Sequence, residues 1–243
     1  MKRREFLAAA ALLQQPGAAL PLHLRFADAE GRTLQLRDLF DGRRAVLLVP
    51  GYYRCPQLCG LVMQALLQAL ERTGLPRDQY RIAGFSLDAA ESPAAARARQ
   101  QADLAFAQYA WRDAPARAPL DLRLLVGPPT AGAQLAAALG VRYTQVGDTI
   151  EHPAVVAVAT ADGRVSRYLP GLEFDPAELR VALADARGDR VAGIADRIAL
   201  FCSHFEPQAG RHNALVMDVA RGTGLASAAL LGAWCWRRRG GAK

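Results

Sequence analysis

Two of the four cysteines, Cys55 and Cys59, stand four residues apart in the stretch Cys55-Pro56-Gln57-Leu58-Cys59. On a helix, positions i and i+4 return to the same face, so both sulfurs can be aimed at one spot. That spacing suits two chemistries. The pair can close a disulfide, or it can hold a soft metal ion such as Cu(I) between two thiolates. Two thiolates alone are a poor metal site, and an imidazole is the common third ligand.

The elements around the pair follow from the hydrophobic pattern. Ala45 to Val49 is a continuous apolar run ended by Pro50-Gly51, which predicts a buried strand just before Cys55. Leu61 to Leu70 has apolar residues at helical spacing, stopped by Gly74 and Pro76. Tyr80 to Leu87 is the next strand. Ser92-Pro93 is an N-cap followed by proline at the first helical position, opening a helix to about Ala110. Leu122 to Val126 predicts a strand, and Thr130 to Leu139 a helix closed by Gly140. Ala154 to Ala159 predicts a strand that pairs with Arg164 to Leu169 through Ala161-Asp162-Gly163. Asp175-Pro176-Ala177-Glu178 starts a last domain helix. Ahead of all these, Leu22 to Leu36 alternates around Asp28-Ala29-Glu30-Gly31, a hairpin pattern. Strands alternating with helices predict an α/β sheet. A cysteine pair at a strand-to-helix junction of such a sheet reads as a thioredoxin-like site. The helix start there favours thiolate over thiol.

The chain ends differ in character from this body. The formal net charge is +7, but Met1 to Ala19 carries +2 and Arg237 to Lys243 carries +4, leaving +1 for everything between. A basic nucleic-acid surface is therefore not indicated. Lys2-Arg3-Arg4, the apolar stretch Phe6 to Leu13 and small residues up to Ala19 read as a signal peptide over residues 1–19, of Sec or twin-arginine type. Gly222 to Trp236 is a charge-free run followed by Arg237-Arg238-Arg239. Extended back to Ala214 it predicts a C-terminal transmembrane helix over 214–236, with Trp234 and Trp236 at the interface and a cytoplasmic basic tail at 237–243. The expected order is then a soluble domain at 20–188, a membrane-proximal helix and linker at 189–213 (the helix near Val191 to Phe201), and the anchor. This topology puts the soluble domain outside the cytoplasm.

Four histidines are available as third ligand. His23 lies in the first hairpin strand, and His204 and His212 in the membrane-proximal segment, where solvated surface positions are the plain reading. His152 sits in the loop just before the Ala154 strand, and in a thioredoxin-like sheet that loop faces the cysteine helix. Cys235 falls in the apolar C-terminal run and reads as a packing residue. Cys202, with His204 close by, offers two ligand types but not a defined site.

The stretch Val46 to Cys59, Val-Leu-Leu-Val-Pro-Gly-Tyr-Tyr-Arg-Cys-Pro-Gln-Leu-Cys, resembles the signature of the SCO/SenC family. Phe85-Ser86-Leu87-Asp88 is similar to its next strand and following acid, and Glu151-His152 with the Ala154 strand and Ala161-Asp162-Gly163 to its histidine loop and hairpin. The likeness spans roughly Leu22 to Ala186. It departs at Gly60, where the family usually has proline, and at Glu151, where aspartate is usual. The resemblance implies a thioredoxin-like fold with an N-terminal β-hairpin. It implies a membrane-anchored protein of the bacterial inner membrane whose soluble domain faces the periplasm. It implies copper, as Cu(I) or Cu(II), held by Cys55, Cys59 and His152, with Asp88 as a nearby acid for partner contact or tuning, where the plain reading of the residue is a strand-end cap. The implied partners are the CuA-bearing subunit of cytochrome c oxidase, other copper carriers or thiol reductants, and no nucleic acid.

Two functions fit these residues. A metallochaperone would bind and pass on copper without turnover. A thiol–disulfide oxidoreductase, reducing the oxidase's copper-site cysteines or acting as a redox or copper sensor, would use Cys55 as nucleophile and Cys59 as resolving thiol. Pro153, directly after His152, is expected to take the place of the cis-proline that faces the disulfide in thioredoxins, which keeps the redox reading open. No phosphate-binding loop and no serine nucleophile elbow occurs in the sequence.

Overall fold

The computed structural model describes residues 16–55, 58–112, 118–147 and 149–191, with the side chains of Leu58, Cys59 and Pro129 outside that description. Nine strands and four α-helices occur among these residues. The strands are β1 (Arg25–Ala27), β2 (Thr33–Gln35), β3 (Ala45–Gly51), β4 (Tyr80–Ser86), β5 (Leu122–Leu125), β6 (Thr144–Val146), β7 (Thr149–Glu151), β8 (Val155–Ala159) and β9 (Val165–Pro170). The helices are α1 (Leu58–Thr73), α2 (Pro93–Ala110), α3 (Pro129–Ala138) and α4 (Pro176–Arg187).

The central sheet has five strands in the order β5-β4-β3-β8-β9. β3 runs parallel to β4, and β4 to β5, each step crossing over through a helix. β8 is antiparallel to β3, and β9 to β8. β3 is thus the hinge of the topology, with a parallel neighbour on one side and an antiparallel one on the other. Its residues are buried along their whole length because both faces are covered, which explains the unbroken apolar run rather than an alternating one.

The two faces divide the core. Leu47, Val49, Ile82, Leu124 and Val158 point to the layer of α1, α2 and α4, where Leu66, Leu67, Trp111 and Leu183 meet them. Val46, Leu48, Phe85, Leu125 and Ala157 point to the opposite layer, closed by α3 and by Leu36 and Leu39 of a short 3-10 turn after β2. The β1–β2 hairpin is tied to the end of β5 by paired backbone bonds between Ala27 and Val126, at 2.7 and 2.9 Å.

Helix ends follow the local chemistry. The Ser92 hydroxyl accepts from the Ala95 N–H at 3.4 Å and Pro93 opens α2. The Asp175 carboxylate accepts from the Ala177 N–H at 2.8 Å and starts α4. α3 can lie close over the end of β4 only because position 132 is glycine. A Cβ there would collide with the Ser86 carbonyl oxygen.

Two expectations fall outside the described residues: the signal segment up to residue 15 and everything from residue 192 on, which includes the anchor, Cys202, His204, His212 and Cys235. Among the described residues no helix is long and apolar enough to cross a membrane.

One element is absent from the sequence reading. β6 and β7 form a small antiparallel hairpin, and five of their six residues are exposed. Only Ile150 is buried, so there is no apolar stripe to announce either strand.

Candidate functional site

Cys55, Cys59 and His152 are carried by three segments at one end of the sheet. Cys55 is half-buried in the turn that follows β3, against the core layer closed by α3. Its N–H donates to the Tyr52 carbonyl at 3.3 Å, which shapes the turn. Cys59 lies in the first turn of α1. His152 lies between β7 and β8. β3 and β8 pair antiparallel through Leu48 and Ala157. Beyond that pair β3 runs on to Gly51 and β8 reaches back to Val155, so the loop holding His152 and the cysteine turn leave the sheet at the same end. The carboxyl end of β3 and the amino end of β8 therefore supply the site together.

His152 is half-buried, and its Nδ1 lies 3.0 Å from the Pro153 carbonyl oxygen. A carbonyl only accepts, so this nitrogen carries the proton and Nε2 keeps the lone pair that a metal would take. Burial pushes the imidazole pKa below its ordinary value, against the pull of that carbonyl. His152 is thus a neutral, ligand-type imidazole near neutral pH.

Pro153 does not behave as expected. Among the described residues no peptide bond is cis, so the His152–Pro153 bond is trans. The support that a thioredoxin-type cis-proline would lend to the redox reading is gone. The physical reason is visible in the chain path: Pro153 is exposed and its carbonyl is turned back to the His152 ring rather than held against the core.

Asp88 is placed by the loop after β4. Its Oδ1 accepts from the Ala90 N–H at 2.8 Å, and its Oδ2 accepts from Nη2 of Arg54 at 3.0 Å. It caps its own turn and also grips the residue next to Cys55. Glu91 grips the same residue more firmly. Its side chain is fully buried and accepts from the Arg54 N–H at 2.7 Å and from the Ser86 hydroxyl at 2.6 Å. Arg54, Asp88, Glu91 and Ser86 thus bind the cysteine turn to the β4 loop. The sequence reading passed over Glu91, whose one signal is an acid just before an N-cap at the carboxyl end of a strand.

Tyr53 anchors the turn from below. Its hydroxyl lies 2.7 Å from the Leu125 carbonyl and 3.1 Å from that of Gly84, reaching under β4 to β5. Burial pushes its pKa well above the ordinary tyrosine value, so it stays a donor. Among the described residues no three His, Cys, Asp or Glu side chains form a ready metal cage, and the Cys59 side chain is outside that set.

No family model matches the sequence, and no curated protein matches it either. Solved structures do match the fold. A proposed electron transfer protein of Aquifex aeolicus aligns at TM-score 0.60 and 21% identity, over 71% of this chain and 94% of that one. ScoI of Arabidopsis thaliana with copper bound aligns at TM-score 0.54 and 12% identity, over 73% and 99%. A SCO1/SenC family lipoprotein of Bacillus anthracis aligns at TM-score 0.55 and 13% identity, over 72% and 98%. The chain has the SCO/SenC fold. Nearly the whole of each SCO/SenC neighbour is covered, and 12–13% identity speaks for the fold alone. The thioredoxin-like architecture expected from the strand and helix order is therefore present around the cysteine pair.

Proposed function

We propose that this protein is a SCO/SenC-family copper metallochaperone serving the CuA centre of cytochrome c oxidase. The observation that carries the reading is the convergence of the Cys55 turn, the first turn of α1 with Cys59, and the His152 loop at one end of a SCO/SenC sheet. Two thiolates and a neutral imidazole are the donor set that a soft, trigonal Cu(I) takes. Here copper is cargo. A three-ligand site leaves one side open, through which thiolates of the CuA-bearing subunit would take the ion by exchange. Asp88 and Glu91 act one step back, by holding Arg54 and so the Cys55 turn.

The proposal includes placement. Residues 1–19 would export the domain, residues 20–188 would form it, and residues 214–236 would anchor it in the bacterial inner membrane, facing the periplasm. The copper-bound ScoI and the SCO1/SenC lipoprotein support a copper-handling, membrane-associated reading.

The test is anaerobic Cu(I) titration of the reduced chain against a competing chelator, with Cys55→Ser, Cys59→Ser and His152→Ala beside it. One copper per chain, weakened by at least tenfold in each variant, is the expected result. Weak binding indifferent to His152, with a cycling Cys55–Cys59 disulfide, would make this a thiol oxidoreductase instead.

A further inference from the structure

The chain enters the described domain along β9, an edge strand of the central sheet. Ala19 bridges Arg164 in antiparallel fashion. Around that bridge the Gly17 N–H donates to the Val165 carbonyl at 2.7 Å, the Val165 N–H to the Ala18 carbonyl at 2.9 Å and the Leu20 N–H to the Gly163 carbonyl at 3.0 Å. Gly17 has φ +97°, in the left-handed region that glycine enters freely. Leu20 is 6% exposed and packs in the core layer closed by α3.

The outgoing chain meets the same place. The Arg164 guanidinium donates to the Asp189 carbonyl at 3.3 Å, and the Ser166 hydroxyl to the Arg190 carbonyl at 2.7 Å. A Cβ at Gly17 would lie 3.8 Å from Cγ1 of Val191. β9 runs in the same sense as β3, so its start lies at the end of the sheet opposite Cys55. The stretches leading into and out of the domain thus join it together, away from the cysteine turn.

Gly17 and Ala19 are also the small residues of an A-x-A-like cleavage site, which would release a chain beginning at Leu20. Such a chain, cut before or after folding, lacks two of the three backbone bonds to the start of β9. The edge it uncovers is open to pairing with another chain. The cut also turns the Leu20 nitrogen into a charged α-amino group on a nearly buried residue. We infer that Gly17 to Leu20 form an edge segment of the finished domain and that export leaves it in place, with no cut after Ala19. The inference rests on the export reading of the proposed function and moves the start of the domain from residue 20 to residue 17.

The experiment expresses the full chain in a bacterium, separates membrane, periplasm and cytoplasm, and reads the amino terminus by intact mass and terminal sequencing, with Ala19→Arg beside it. Ala19 is exposed, and arginine just before the cut blocks a peptidase that requires a small residue there. Parent and variant are expected to share one start at or before Gly17. A parent beginning at Ala18 or later, or a start that Ala19→Arg displaces, overturns the inference. Hydrogen exchange of the recovered chain reads the pairing itself. Gly17→Pro removes the donor to Val165 and cannot take a positive φ. The Val165 amide is expected to exchange at least about tenfold faster in this variant than in the parent, measured relative to the amides of the β3–β8 pairing. Where Gly17→Pro does not fold, judged by circular dichroism, Gly17→Ala, strained at the same φ, takes its place. An unchanged Val165 ratio overturns the inference wherever the chain begins. A chain held wholly in the cytoplasm refutes the export reading, and the Val165 ratio still decides the edge segment.

Discussion

The Arg54 N–H donates to the buried Glu91 carboxylate at 2.7 Å, joining the residue beside Cys55 to the loop that follows β4. The bond spans two strands' carboxyl ends and leaves the cysteine turn little room to move. Glu91→Ala strips the acceptor from this N–H and from the Ser86 hydroxyl. An unmade buried bond of this kind costs about 1–3 kcal/mol. Urea unfolding is expected to register about 2 kcal/mol for Glu91→Ala and less for Glu91→Gln, which keeps one accepting oxygen. A loss under about 0.5 kcal/mol for the alanine variant would show that the clasp is not needed.

Copper affinity should depend on pH through His152 in a definite direction. Burial holds its pKa below 6.5. A lowered pKa means that the neutral, ligating form persists as the solution is acidified past the ordinary histidine midpoint. Competition titrations between pH 5 and 8 should show the parent keeping more than half of its advantage over His152→Ala at pH 6.5, and losing it as the pH falls further. An advantage already halved at pH 7 would contradict this.

Asp41 supplies a pH-dependent part of stability. Burial raises its pKa, but the N–H groups of Arg44 and Arg43 and the Arg44 guanidinium bring it down to about 2 from 3.8. A carboxyl with a lowered folded pKa stabilises fully above its unfolded pKa and loses that contribution as pH falls through the folded value. Allowing for solvent screening of a partly exposed group, Asp41→Asn should cost about 1 kcal/mol at pH 7. The deficit should shrink as the pH falls from about 4 toward 2, read from thermal melts at both ends.

Gly132 tests the seating of α3. A methyl group there would drive into the Ser86 carbonyl, which is backbone and cannot swing aside. Gly132→Ala should therefore destabilise the protein by about 1–3 kcal/mol, although alanine is the better helix former. An unchanged melting temperature would mean that α3 can shift without loss.

Much of this molecule is legible along the chain. The strand before Cys55 is announced by a run buried on both faces, and α2 by Ser92-Pro93, because these signals are local. The β6–β7 hairpin is not legible, since strands exposed on both faces carry no apolar alternation. Glu91 is not legible as a site residue. Its role comes from a contact made 37 residues away, at Arg54. The expected cis-proline failed for a related reason, because the isomer of an X–Pro bond is decided by what packs around it.

The amino-acid sequence by itself determined the order of elements and the chemistry on offer: two thiols four residues apart after a buried strand, and one histidine before a later strand; that they share one helix face was wrong, because α1 begins only at Leu58 and leaves Cys55 in the preceding turn. Periodicity, caps and turn residues act over a few positions and can be read in order. Only the tertiary structure decided that β8 returns antiparallel beside β3, bringing the His152 loop to the cysteine end of the sheet. It alone laid residues 17–20 along the start of β9. Strand order and edge pairing depend on burying both faces of the sheet at once, a condition on the whole chain that no short stretch states.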